Sequence, residues 1–148
     1  LSIKLDGENF IDNKYSGTPP YMAPEIWSSF VYNKASDAYA FGILVYELMC
    51  EKIAFKDHKP SQIVYTICNQ NSKPQIKETV PVAYKKLIES CWSDNISDRK
   101  TFSEIVENLK SNNEFITDKV DVQRYRNCIE TIDKQIQTIE TNEIRIKM

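Results

Sequence analysis

Apolar residues recur every three or four positions along most of the chain, which is the spacing of one helix face. The pattern predicts helices over residues 23–29, 37–51, 60–69 and 82–92, and one that begins after Thr101. Thr101 and Glu104 form a Thr-x-x-Glu capping box at that start. The inward stripe of this last helix is predicted to contain Phe102, Ile105, Val106 and Leu109. No pair of strands is predicted, so the expected fold class is mainly α.

The segment 37–51 is apolar nearly all the way round, so we expect it to be a central helix enclosed by others. A polar turn over residues 33–36 precedes it, and Ser36 or Asp37 is the candidate N-cap. Gly42 lies in its middle, where glycine costs about 1 kcal/mol relative to alanine. We therefore expect another backbone to approach the helix closely at Gly42.

From residue 112 the pattern changes to isolated apolar residues among polar ones. Ile129, Ile132, Ile136 and Ile139 follow one another at three-four-three spacing. The spacing is typical of a coiled-coil seam, but it extends over only about two heptads. Self-association through residues 125–140 and a helix that folds back on the domain both fit, and we favour the second. The predicted domains are residues 1–111 and a helical tail at residues 112–148.

Composition narrows the classes of partner. A net charge of −2 and a pI near 5.5 argue against a nucleic acid or an anionic membrane. The longest apolar stretch, residues 38–50, contains Glu47 and is too short to span a bilayer. Cys50, Cys68 and Cys91 lie in apolar stretches and are expected to be small buried side chains in a reducing compartment. We therefore expect a cytoplasmic protein.

Four motifs carry a resemblance to a known family. The first is Gly17-Thr18-Pro19-Pro20-Tyr21-Met22-Ala23-Pro24-Glu25, which resembles a kinase activation segment running into its Ala-Pro-Glu motif. It is followed in order by Ser36-Asp37-Ala38-Tyr39-Ala40-Phe41-Gly42-Ile43, by Cys91-Trp92, and by Arg99-Lys100-Thr101-Phe102-Ser103-Glu104-Ile105. Over residues 1 to 110 the chain is identified as a member of the protein kinase family, close to tyrosine-kinase-like Ser/Thr kinases. The resemblance implies the lower half of a kinase C-lobe, a helical bundle around one buried central helix, with a C-terminal helical tail.

The resemblance assigns a substrate-docking loop to Gly17, Thr18, Pro19, Pro20 and Tyr21. Thr18 matches the threonine that contacts the catalytic aspartate in kinases that phosphorylate serine or threonine. This loop therefore favours Ser/Thr specificity over Tyr specificity. Tyr15, Ser16 and Thr18 are candidate phosphorylation sites, because a phosphate can order an activation loop by pairing with Arg or Lys.

The resemblance also assigns two structural roles. Glu25 and Arg99 match the two partners of a buried ion pair. Asp37 matches the aspartate that accepts hydrogen bonds from the catalytic-loop backbone, although that loop is not in this sequence. Asp37 is therefore interpreted either as the catalytic-loop anchor or only as a helix cap.

The motifs that perform phosphoryl transfer are not found in this sequence. They are a Gly-rich loop, a lysine paired with a helix glutamate, a His-Arg-Asp loop and an Asp-Phe-Gly aspartate. Leu1-Ser2 match the residues that follow Asp-Phe-Gly, so we expect a fragment that begins just after it. We expect no catalytic, cofactor-binding or metal residue here, with ATP and magnesium serving the full-length family.

Two functions remain open on the sequence. The chain is either part of a kinase that transfers phosphate from ATP to Ser/Thr of proteins, or a catalytically dead protein-interaction module. Its expected partners are protein substrates or signalling proteins. With the upstream half absent, we also expect uncovered apolar surface at Phe41, Leu44, Val45 and Leu48, partly covered by the tail.

Overall fold

The computed structural model describes the backbone of residues 9–11 and 16–147 and the side chains of residues 16–139. The helices described are α1 (Pro24–Ser29), α2 (Lys34–Cys50), α3 (Pro60–Cys68), α4 (Val82–Cys91), α5 (Phe102–Ser111) and α6 (Val122–Lys147). The predicted fold class, mainly α, is confirmed. Within the described residues, no helix is both long enough and apolar enough to cross a membrane.

Two short strands precede α2. β1 (Asn9–Ile11) pairs antiparallel with β2 (Val31–Asn33), and Phe10 lies opposite Tyr32. The prediction that no strands pair is therefore wrong. Each strand has only three residues, which is too short for an alternation of apolar and polar positions to be recognised in a sequence.

The start of α2 is fixed by a reciprocal capping box. Asn33 Oδ1 accepts a hydrogen bond from Ser36 N at 2.9 Å, and Ser36 Oγ accepts one from Asn33 N at 3.3 Å. Asn33 is thus the N-cap, and the prediction of Ser36 or Asp37 is wrong. The residues predicted as a turn belong to β2 and to the first turn of α2. Ser36 takes the N3 position of the box, where its side chain satisfies the N-cap amide.

Gly42 is the point where α2 meets α4. A Cβ atom placed on Gly42 would lie 2.8 Å from Cys91 Cβ and 3.4 Å from Ile88 O. The predicted close approach is therefore present, and it is made by α4. The fully buried side chains around this crossing are Tyr39, Ile43, Tyr46, Leu87, Ile88 and Cys91.

One side of α2 is not covered. Leu44 is 45% exposed and Leu48 67% exposed, whereas Val45 is 7% exposed. The expectation of a helix enclosed on all sides is therefore wrong for this side. The expected uncovered apolar surface occurs at Leu44 and Leu48, whereas Phe41 is half-buried and Val45 is buried.

Two further burial predictions are wrong. Cys68 is exposed because it is the last residue of α3, while Ile63 and Ile67 take the inward positions of that helix. Phe102 is also exposed, because it is the first residue of α5 and contacts only the edge of the core, where its ring lies 5.6 Å from that of Phe41. Cys50 and Cys91 are buried as predicted.

The chain divides into two compact units, Leu1–Asn108 and Leu109–Met148. In the second unit, Lys110 Nζ lies 2.6 Å from Asp133 Oδ1, and the Tyr125 hydroxyl donates a hydrogen bond to Leu109 O. Ile136 and Ile139 of α6 are exposed. Neither the docking of the tail nor its self-association is tested by this structure, and both stay predictions.

Candidate substrate-docking site

The segment Gly17–Tyr21 is shaped by local hydrogen bonds and by two adjacent prolines. A 3₁₀ turn covers Pro19–Tyr21, with Tyr21 N donating to Thr18 O at 3.0 Å. Gly17 has a φ of 152°, which L side chains rarely adopt, and a Cβ there would lie 3.0 Å from Met22 Cγ. Because each proline also fixes its own φ, the loop has few alternative conformations.

A carboxylate of α2 holds the end of this loop. The Tyr21 hydroxyl donates a hydrogen bond to Glu47 Oε2 at 2.5 Å, and the other carboxylate oxygen accepts one from Ala54 N at 2.7 Å. Glu47 therefore joins the docking loop to the segment that follows α2. This link was not predicted. The signal in the sequence is the acid Glu47 within the apolar stretch of residues 38–50, where a charged group calls for a hydrogen-bond donor.

The hydrogen bond to Glu47, with burial and the carboxylate charge adding to it, raises the pKa of Tyr21 to about 12 from its usual value near 10.0. Because the folded-state pKa lies above the unfolded one, the stabilisation from this bond is complete below pH 10 and is lost as pH rises towards 12. We expect Tyr21→Phe to lower the free energy of unfolding by about 1 kcal/mol at neutral pH. The decrease in the free energy of unfolding above pH 10 should also be smaller in this variant than in the unsubstituted chain.

Urea unfolding at several pH values measures both effects. Tyr65→Phe is the matched control, because it removes an exposed phenol that makes no described side-chain hydrogen bond. Equal stability losses in the two variants, with equal alkaline behaviour, would show that the Tyr21–Glu47 bond does not anchor the loop.

The candidate phosphorylation sites differ in their surroundings. Thr18 is exposed, and Ser16 is half-buried. The backbone of Ser16 exchanges hydrogen bonds with the Tyr32 hydroxyl, through its N at 3.0 Å and its O at 3.3 Å. Tyr15 lies outside the described residues. Phosphorylation at these three positions stays a prediction.

Glu25 and Arg99 form the ion pair that the resemblance implied. Arg99 Nη1 is 2.7 Å from Glu25 Oε1, and Nη2 is 3.0 Å from Oε2, so both carboxylate oxygens are engaged. The Arg99 side chain is fully buried, and that of Glu25 is 10% exposed. Two parallel charge-assisted bonds of this kind are strong and directional. They connect α1 to the segment before α5.

The guanidinium group has further partners besides Glu25. Arg99 Nε donates to Ser93 O at 2.8 Å, Nη1 donates to Ala35 O at 3.2 Å, and the group lies 5.3 Å from the centre of the Tyr39 ring. Ser36 Oγ donates to Glu25 Oε1 at 2.9 Å. The sequence indicated the pair of charges but not these neutral partners, because every residue type has a backbone carbonyl.

Asp37 lies in the first turn of α2, and its side chain makes no described hydrogen bond. Because Asn33 caps the helix, the interpretation of Asp37 as only a cap is wrong. Burial raises its pKa above the usual value. Asp37 borders a cavity of about 660 Å³, together with Lys34, Lys100 and Phe102. Its role as an anchor for a catalytic loop stays a prediction.

Metal-ligating side chains form no cluster among the described residues. Among them, no three His, Cys, Asp or Glu side chains are grouped so that they could hold a metal ion.

The family comparison agrees with the order of the motifs. Residues 2–109 match the family model for protein tyrosine and serine/threonine kinases. Because this match covers well over half of the sequence, the chain belongs to the protein tyrosine and serine/threonine kinase family. The helices α1 to α5 are thus a C-lobe-like part of a kinase domain.

Individual relatives give the same result. The chain is 36% identical to the dual specificity protein kinase shkD of Dictyostelium discoideum over 76% of its own length and 15% of the relative's. It is 30% identical to the serine/threonine/tyrosine-protein kinase HT1 of Arabidopsis thaliana, over 78% of its length and 30% of the relative's. The chain therefore spans less than a third of the length of these curated relatives.

Proposed function

We propose that this chain is the substrate-docking and scaffold part of a protein kinase that transfers phosphate from ATP to serine or threonine of proteins. The observation that carries the proposal is the docking loop, which is anchored where it leads into α1. Tyr21 is held by Glu47, and Glu25 is held by Arg99 four residues further on. A loop held in this way is preorganised to receive an extended peptide.

Tyrosine stays a further candidate acceptor. The relative shkD carries the words dual specificity in its name, and HT1 carries serine/threonine/tyrosine. For this chain, Thr18 matches the threonine of kinases that phosphorylate serine or threonine, so the resemblance favours these two acceptors. A peptide set in which only the phosphoacceptor changes would rank the three acceptors.

In the proposed reaction the residues of this chain bind and orient, and they do not transfer the phosphate. The docking loop would take the residue after the phosphoacceptor, while Asp37 would accept hydrogen bonds from a catalytic-loop backbone at its cavity. ATP would supply the phosphoryl group, and magnesium would neutralise its charge. Both would be held by residues of the whole protein outside this chain.

The gene product that contains this chain provides the test. We expect its coding sequence to place an Asp-Phe-Gly motif directly before Leu1, and the product to phosphorylate Ser/Thr peptides. A reading frame with no such motif, together with no phosphorylation of any peptide, would instead support the dead interaction module. The exposed Leu44 and Leu48 are the surface that such a module offers to a partner.

The isolated chain should not bind nucleotide. The sequence contains none of the motifs that hold ATP phosphates and magnesium, so calorimetry with magnesium and ATP should give no saturable heat. The gene product that contains the chain is the positive control. Saturable binding in the micromolar range by residues 1–148 alone would contradict this prediction.

A further inference from the structure

A second cavity lies between the segment after α2 and the segment after α3. It has a volume of about 200 Å³. A water molecule occupies about 30 Å³ in the liquid, so the cavity has room for a tetrahedral phosphate. The basic residues that line it are Lys52, Lys56, His58 and Lys73. Asp57 is the one acidic side chain among the lining residues.

The charges in this cavity are unbalanced. Lys73 pairs with Asp94. Lys52 and Lys56 are exposed and have no ion pair or hydrogen bond of the side chain among the described residues. With Lys73 paired, Lys52 and Lys56 outnumber the Asp57 carboxylate among the lining residues, and this excess of positive charge favours a bound anion.

The walls of the cavity also provide neutral donors. Thr66 and Ser72 are among the lining residues, and neither hydroxyl makes a described hydrogen bond. Ser72 N donates to Thr66 O at 3.1 Å, which holds the two residues next to each other. Lysines combined with hydroxyl donors are suited to phosphate, which presents three acceptor oxygens and up to two negative charges.

Both segments that form the cavity contain a residue in a left-handed backbone conformation. Phe55 has a φ of 54° and Asn71 a φ of 49°. The Phe55 ring lies edge-on to His58 at 5.9 Å, and His58 N donates to Phe55 O at 2.9 Å. A bulky residue pays a conformational cost in this region of backbone space. The lysine-bearing segment is thus held in a defined turn.

We propose that this cavity binds a phosphate monoester, the phosphorylated serine or threonine of a protein segment. A phosphate monoester matches two lysines and two hydroxyls in both charge and number of acceptor oxygens, whereas a carboxylate has one charge and two oxygens. The inference does not depend on phosphoryl transfer by the whole protein, since the site lies within this chain.

Binding is measured on the 148-residue chain by calorimetry or by chemical-shift changes. The probes are inorganic phosphate, a phosphoserine peptide and the same peptide without phosphate. We expect the phosphopeptide to bind more tightly than inorganic phosphate, and the unphosphorylated peptide not to bind. In the double variant Lys52→Gln/Lys56→Gln, affinity for the phosphopeptide should fall by about tenfold or more.

The matched control is Lys86→Gln/Lys119→Gln, which removes the same charge from exposed lysines that do not line the cavity. Its affinity should stay close to that of the unsubstituted chain. Equal losses of phosphopeptide affinity in both double variants would overturn the proposed site, because the losses would then reflect only the change in net charge. Phosphate binding no weaker than phosphopeptide binding would overturn the assignment to a protein segment.

The result does not depend on one variant remaining folded. Circular dichroism checks each double variant, and Ser72→Ala removes an exposed hydroxyl with no charge change. We expect Ser72→Ala to weaken phosphopeptide binding about threefold to tenfold. A folded Ser72→Ala variant and a folded lysine variant that both bind as tightly as the unsubstituted chain would refute the proposal.

Discussion

Glu25→Ala should lower the free energy of unfolding by about 3–5 kcal/mol, the largest single loss we expect in this chain. The substitution leaves the Arg99 guanidinium buried without its carboxylate, and that side chain has no exposed surface through which water could replace it. It also removes one of the two acceptors within reach of the Ser36 hydroxyl, the other being Asn33 Oδ1. Urea denaturation followed by circular dichroism measures the loss.

Two further variants separate the ion pair from a general effect of substitution. Glu89→Ala removes an exposed glutamate of α4 and should change stability by less than about 0.5 kcal/mol. The double variant Glu25→Leu/Arg99→Met should lose less than Glu25→Ala, because no charge is left buried. A Glu25→Ala loss no greater than that of Glu89→Ala would mean that the pair does not hold the fold together.

Gly42→Ala should lower the free energy of unfolding by about 1–3 kcal/mol. In an exposed helix the same change would add about 1 kcal/mol of stability through helix propensity. At Gly42 the new Cβ would lie 2.8 Å from Cys91 Cβ, an atom fixed directly to the backbone of α4. No rotamer change can relieve this contact, so α2 and α4 must move apart. Thermal and urea unfolding measure the loss.

Variants at position 91 identify the cause. Cys91→Ala keeps the Cβ atom and should not rescue Gly42→Ala, whereas Cys91→Gly removes the contacting atom. The penalty of Gly42→Ala should therefore be smaller in the Cys91→Gly background than in the Cys91→Ala background. An unchanged penalty across both backgrounds, or a stabilising Gly42→Ala, would show that the helices are not limited by this contact.

The longer helices could be predicted from sequence because one face of each is apolar and its ends carry local signals. The helix predicted over residues 82–92 is α4 (Val82–Cys91), and Thr101 and Glu104 bond as their spacing indicates. The start of α2 was missed because Asn33 ends a strand and caps a helix at the same time. A polar residue of this type is typical of a turn as well as of a cap, so its role depends on the fold.

Parts of the candidate site depend on contacts that residue type does not encode. Glu25 and Arg99 are 74 positions apart, so only their place within the motifs of a family suggested the pair. The bond from Tyr21 to Glu47 and the donation from Arg99 to Ser93 O arise from tertiary packing. The exposure of Leu44 and Leu48 depends on which elements pack against α2. The periodicity of apolar residues does not give that information.

The Ser36 hydroxyl has a consequence for motion in the folded protein. It is shared between the N-cap of α2 and the carboxylate of Glu25 in α1. Unwinding the first turn of α2 therefore removes one hydrogen bond from the Glu25 carboxylate, and loss of α1 removes one hydrogen bond from the capping residue Ser36. We infer that α1 and the first turn of α2 open as one cooperative unit. Amide hydrogen exchange at Ser36 and at Phe30, which closes α1, should then proceed with the same opening free energy.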